Sequence, residues 1–263
     1  MKPKDTLLIS QFPQLRSLTP ARVRLDPSGG PIPISSVLDF QLSHAKARDA
    51  IHQKVDWDGV RSSLRGHSFM ELHSQAVDRA TYLRRPDLGR QLSSESIEGI
   101  KRTEPDLVIV VADGLSANAI DSHAAHVINA VCEQLPELKV GPIAFVNQGR
   151  VAVGDEVAQS MGAAICLTLV GERPGLSVAD SLGAYLTWNA IAGTRDNNRN
   201  CVSNIHSRGG LSYNTAAAQI SFLIRSAMKL KMTGVSLTTT LADLGIEWTS
   251  NIALDAQSTS LIK

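Results

Sequence analysis

Three features of the sequence predict an α/β fold. From residue 101 onward, short apolar runs rich in β-branched residues alternate with longer amphipathic stretches. Aromatic residues make up only 4% of the chain, which leaves the core to Ala, Val, Ile and Leu, small enough for helices to lie close on a sheet. With 263 residues and 43% hydrophobic content, the chain can bury a core as one large domain or two modest ones. Together these predict a Rossmann-like doubly wound parallel sheet, preceded by a small helical N-terminal subdomain.

The elements follow in order. Residues 1–37 are rich in proline and poor in periodic apolar positions, and read as an irregular N-terminal arm. Residues 38–100 read as the helical subdomain. In DFQLSHAKARDAIHQ, Phe40, Ala47 and Ile51 fall near helical spacing; in SFMELHSQAVDRATYL (68–83), Leu72, Ala76, Ala80 and Leu83 share a face, which predicts a helix there. LRG at 64–66 and RRPDLGR at 84–90 interrupt it. Residues 101–238 read as the α/β domain. PDLVIVVADG (105–114) is a buried parallel strand with its turn, ANAIDSHAAHVINAVCEQL (117–135) a helix and KVGPIAFVNQ (139–148) a second strand. GDEVAQSMG (154–162) is a short helix closed by Gly162, and AAICLTLV (163–170) a third strand. NTAAAQISFLIRSAMKLKMTG (214–234) is a long helix with Gly234 as its stop. Residues 239–263, rich in Thr and Ser, read as a C-terminal tail. Ligands of such sheets bind beyond the carboxyl ends of strands. This singles out ADGLSA, NQGRVAVGD and GERPGL.

Charge and cysteine usage exclude several classes. Lys and Arg total 26 against 25 for Asp and Glu, a net charge of +1. That balance offers no electrostatic basis for binding nucleic acid or an anionic membrane. It also gives little protection against association, which suits a subunit with a partner. Cys132, Cys166 and Cys201 are widely spaced, an odd count that fits neither a disulfide framework nor a clustered zinc site. The N-terminus lacks a signal-peptide pattern, and no stretch reaches about 18 apolar residues. The expected location is the cytoplasm.

Familiar site motifs are missing. There is no G-x-G-x-x-G, P-loop or H-E-x-x-H, so a nicotinamide or flavin dinucleotide is not expected. Ser116 in GLSA reads as a helix N-cap or turn serine. In DSHAAH (121–126), Asp121, His123 and His126 could share a helix face, but nothing nearby in sequence adds the carboxylates of a metal centre, so a surface or partner-facing helix is the better reading. The same stretch begins like D-x-H-x-x-G, which some cobalamin proteins use to offer a histidine to cobalt. His126 replaces the glycine and the segment is helical, which excludes that mode. Cys201, five residues before His206, reads as a packed thiol, with a nucleophile as the alternative. Glu172 and Arg173 stand at a strand end between Gly171 and Pro174-Gly175. There a carboxylate can accept hydrogen bonds from a ligand, and the arginine is expected to brace the loop.

LSHAKARDAIH (42–52), YLRRPDLGRQL (82–92), DGLSANA (113–119), GRVAVGD (149–155), GERPGL (171–176) and RNCVSNI (199–205) occur in the order and spacing found in one family. Over residues 38–236 the chain resembles the light chain (small subunit) of ethanolamine ammonia-lyase. Asn189 stands where that family commonly has proline. The resemblance implies a subunit of an adenosylcobalamin-dependent radical enzyme that converts ethanolamine to acetaldehyde and ammonia. The substrate site is then on a large-subunit partner, within a higher hetero-oligomer, and the cobalamin is bound base-on between the subunits. Carried over residue by residue, the implied cofactor contacts are Val151 (apolar or backbone), Glu172 (hydrogen-bond acceptor) and Cys201 (packing or backbone). No catalytic residue and no metal ligand are expected in this chain. The helical subdomain is expected to dock on the large subunit. The alternative is a non-catalytic α/β assembly module without cofactor contact.

Overall fold

The computed structural model describes Ile32 and residues 34–244. Most of the arm expected over 1–37, and the tail beyond Leu244, lie outside them. Among the described residues no helix is long and apolar enough to cross a membrane.

Six strands form one sheet: β1 Phe69–His73, β2 Leu107–Ala112, β3 Ile143–Asn147, β4 Ile165–Gly171, β5 Leu182–Trp188 and β6 Asn200–Ile205. Their spatial order is β1-β3-β2-β4-β5-β6. The first four are mutually parallel; β5 and β6 extend the sheet in antiparallel fashion. Eight helices accompany it among the described residues. They are α1 Ile34–His52, α2 Trp57–Ser63, α3 Arg79–Arg84, α4 Ser94–Gly99, α5, α6 Val153–Met161, α7 Tyr213–Leu230 and α8 Val235–Asp243. Helix α5 runs through Ala117–Ala119, a wide π-turn at Ile120–Ala124, and Ala125–Gln134.

The expected strands at 105–114, 139–148 and 163–170 and the helices after them are present. Ser116 caps α5, accepting the Ala119 N–H at 3.2 Å. Gly162 closes α6 with φ 74°. The helix expected over 68–83 is instead β1, a loop and then α3. Only Leu72 of β1 is buried, so this edge strand lacks the alternation that identifies a strand. The apolar spacing that imitated a helix runs across the loop between the two elements. The first residues of the expected tail belong to α8.

Side-chain alternation divides the core between the two faces of the sheet. On one face Ile109, Phe145, Leu167, Ala184 and Val202 pack beneath α5 and α7. On the other Val110, Val146, Cys166 and Val170 meet Val153, Val157 and Met161 of α6. All six residues of β2 are buried, as befits a parallel strand covered on both sides. Helix α6 lies tightly on β4: a Cβ at Gly154 would come within 2.1 Å of Thr168 Oγ1. It packs on β2 and β4, while α7 packs on β5 and β6 from the opposite side. Among the described residues no helix covers the α6-side face of β5 and β6 as α6 covers β2 and β4. Tyr185 and Cys201, directly paired on that face, are only half-buried.

Candidate functional site

The site begins where β2 and β4 end. Gly114 has φ 59°, and a Cβ there would lie 2.3 Å from the Gly171 carbonyl oxygen; a Cβ at Gly171 would lie 2.1 Å from that of Ser116. The Leu115 N–H donates to Gly171 O at 2.9 Å. From this junction Glu172 leaves the strand. Its N–H donates to Ser181 O at 2.9 Å, and the Ser181 hydroxyl donates to Oε2 at 2.5 Å. The carboxylate lies over β5, where a Cβ at Gly183 would sit 2.9 Å from Oε1. The rest of the loop is held by Gly175 N–H to Val178 O (2.8 Å), Ser116 Oγ to Ala179 O (2.7 Å) and an Arg208–Asp180 ion pair (2.5 Å). Arg173, expected to brace this loop, is exposed and has no such contact among the described residues.

A second wall comes from the YLRRPDLGR segment. Tyr82 is buried, donates to Gly149 O at 3.2 Å, and meets two guanidinium groups, those of Arg79 and Arg150, at 4.7 and 4.6 Å from its ring centre. Gly89 fits against this ring and accepts the Arg150 N–H at 2.8 Å. Below it Asp113 accepts the Gly149 N–H at 2.9 Å and faces Arg79 at 3.5 Å. Burial raises the Asp113 carboxyl to about 6, with Arg79 and the backbone N–H groups opposing.

A third wall joins the GRVAVGD and RNCVSNI segments. Arg199 and Asp155 form a buried two-pronged pair at 2.5 and 2.6 Å. Burial raises the Asp155 carboxyl, with the Arg199 hydrogen bonds and charge opposing. Arg199 also donates to Thr187 Oγ1 and Thr194 O, at 3.1 and 2.8 Å. This fixes the start of β6, and with it Cys201, against the first turn of α6.

Two adjoining hollows result. The upper, of about 300 Å³, is lined by Arg150, Val151, Glu172, Arg173 and Tyr185 among others. The lower, of about 330 Å³, takes Arg150, Val151, Tyr185, Arg90, Asp196 and Cys201. Val151 thus stands between Glu172 above and Cys201 below, and the fold brings the three expected residues to one cleft. Cys201 arrives by an unexpected route. It is the second residue of the edge strand β6, level with the middle of β4 rather than with its carboxyl end, and it is reached across the uncovered face of β5 and β6. Sequence reasoning missed Tyr82, Arg90, Arg150, Tyr185 and Arg199. Four of these five stand inside motifs it had quoted; Tyr185 lies in LGAYLTW, which it had not read as a strand.

The other candidates go elsewhere. The Asp121 carboxylate accepts the Asp56 N–H at 2.9 Å. His123 is buried with Nδ1 2.8 Å from the Tyr213 hydroxyl, and His126 stacks on the same ring at 4.9 Å. Among the described residues no three His, Cys, Asp or Glu side chains are grouped to hold a metal ion. His206 has both ring nitrogens engaged, by Asn204 Oδ1 (2.8 Å) and the Arg208 N–H (3.1 Å). Burial raises the pKa of the Cys201 thiol. A Cys201–His206 nucleophile is therefore not assembled.

The profile of the family described as ethanolamine ammonia-lyase light chain (EutC) matches residues 10–238. A relative named ethanolamine ammonia-lyase small subunit, from Pseudomonas fluorescens strain Pf0-1, is 44% identical over 258 residues, covering 92% of this chain and 94% of its own. Proteins of the same name from Bradyrhizobium diazoefficiens and Xanthomonas campestris pv. campestris are 46% and 45% identical. The former covers 87% of this chain and 90% of its own, the latter 85% and 86%.

Proposed function

The chain belongs to the ethanolamine ammonia-lyase light chain family, the small subunit of that lyase, and we propose that it holds one side of a base-on adenosylcobalamin against the large subunit. The observation that carries this reading is the convergence of Val151, Glu172 and Cys201 on two adjoining hollows. The fit is partial in an informative way. Hollows of about 300 and 330 Å³ suit pieces of a ligand larger than ordinary drug-sized molecules, so a second protein surface has to cover the remainder. The exposed Ile34, Leu38, Phe40 and Leu42 of α1 suit the docking of residues 38–100 on that partner. Residence in the cytoplasm, free or in a microcompartment, is part of the same proposal.

When bound, the cofactor would supply the radical chemistry for ethanolamine deamination. The residues of this chain bind and orient. With Ser181 donating to Oε2, the Glu172 carboxylate is fixed in orientation and keeps Oε1 to accept an amide N–H. Val151 contributes an apolar wall. The thiol of Cys201, kept protonated by burial, packs as a neutral group rather than attacking as a thiolate. His123 stays inside α5 against Tyr213 and would not serve as a ligand in the cleft.

Co-purification with a large subunit tests the partner, and cobalamin titration of that complex tests the site. Glu172→Ala should weaken cobalamin binding about tenfold, the effect of losing one charged hydrogen bond. Unchanged affinity in an intact complex would leave only the cofactor-free assembly module.

A further inference from the structure

We infer that Arg150 is a cofactor-binding residue whose guanidinium donates to an acceptor oxygen of the bound cobalamin, either a phosphodiester oxygen of its nucleotide loop or a peripheral carboxamide. This rests on the cobalamin reading above. The residues that resemblance singled out include Val151, one position further on, but not Arg150.

Three observations carry it. Arg150, with Val151 and Tyr185, is common to both hollows, so anything filling them passes it. Its internal contacts are few: the Tyr82 ring at 4.6 Å and the Tyr82 carbonyl oxygen at 3.3 Å from one terminal nitrogen. Its Nε is buried and has no acceptor. Neither carboxylate on the hollows pairs with Arg150 among the described residues. Asp196 lies 3.5 Å from Arg90 and 3.4 Å from Arg199, and Glu172 takes the Ser181 hydroxyl. The charged lining is therefore Arg90, Arg150, Arg173 and Arg199 against Glu172 and Asp196, and with Arg199 matched by Asp155 it still leaves an excess of positive charge. A partly buried guanidinium without a counter-charge is unfavourable until an acceptor arrives. Its planar fork suits a phosphate or carbonyl oxygen, and the Tyr82 ring holds the plane in place beforehand.

The test uses the complex of both subunits and two probes, cyanocobalamin and dicyanocobinamide, which lacks the nucleotide loop. Affinities come from equilibrium dialysis; thermal midpoints and co-purification report folding and assembly. Arg150→Gln should raise the Kd for cyanocobalamin about 10- to 100-fold, the range for a hydrogen bond to a charged group. If the acceptor is the phosphodiester, the affinity for dicyanocobinamide stays unchanged; if it is a carboxamide, both affinities fall together. Arg150→Lys keeps the charge but loses the fork, and should show a smaller rise; it also serves should the glutamine variant fold poorly. Unchanged affinity for both probes in the intact complex overturns the assignment. So does loss of the large subunit without any cobalamin present, which would assign the charge to a partner carboxylate. Failure of the unaltered complex to bind cyanocobalamin sinks the underlying reading instead.

Discussion

The two halves of the sheet are built to different ends. Around β2 and β4 both faces are covered, glycines let backbone and helix meet closely, and charges are paired. Over β5 and β6 one face is packed by α7, while the other presents Tyr185 and Cys201 to an open cleft. The contrast extends to two arginines on that cleft. Arg199 has its donors spent on Asp155, Thr187, Thr194 and Asp196, and is structural. Arg150 has a ring, one carbonyl and an unmatched Nε, and is available. Room for a ligand arises where the fold leaves a layer out, and of these two arginines lining it Arg150 is the one whose bonding is incomplete.

The largest expected effect lies in the covered half. Asp155→Ala strands the Arg199 charge in the interior and should cost about 3–5 kcal/mol in urea unfolding, whereas replacing both partners by apolar residues should cost much less. A loss under about 1 kcal/mol for the single change would break the contrast.

Next comes Asp113. Its folded pKa of about 6 exceeds the ordinary 3.8, so the folded state holds the proton more tightly than the unfolded one. The sign follows: this group's contribution falls as pH rises from about 4 to about 6, by about 3 kcal/mol in all. Arg79 and Tyr82 are the ionisable neighbours that share the effect. Urea midpoints of Asp113→Asn and the unaltered chain should differ more at pH 7 than at pH 4, with the variant gaining. A constant difference across that range would mean that Asp113 is not desolvated.

The smallest effect belongs to the open half. Tyr185→Phe should change unfolding free energy by less than about 1 kcal/mol, since it keeps the ring and removes only a hydroxyl from a half-exposed side chain. A cost equal to that of Asp155→Ala would show this face to be closed core.

The parallel strands were legible because burial on both faces writes a continuous apolar run, as in LVIVVA. The edge strand β1 was not, since a strand with one buried side chain leaves no period. Strands β5 and β6 were obscured for another reason: the loop between them carries no tight-turn signature, so their pairing is a tertiary fact. Glu172 could be found from its place after a strand between glycines. Cys201 could be found only as part of a motif, and its position beside Tyr185 on the edge strand depends on the antiparallel return. Arg150 and Arg199 look alike in sequence, each next to an expected contact; only their partners separate them.

The glycine junction between Gly114 and Gly171 has a mechanical consequence. The two strand-end loops exclude each other's volume at backbone level, where no side chain can give way. They must therefore shift as one body. A displacement of Glu172 by whatever it grips would be passed to Ser116 and the first turn of α5, on the far side of the sheet from the cleft. A side chain at either glycine would wedge the loops apart and uncouple those movements, so a substitution at either position is expected to be poorly tolerated.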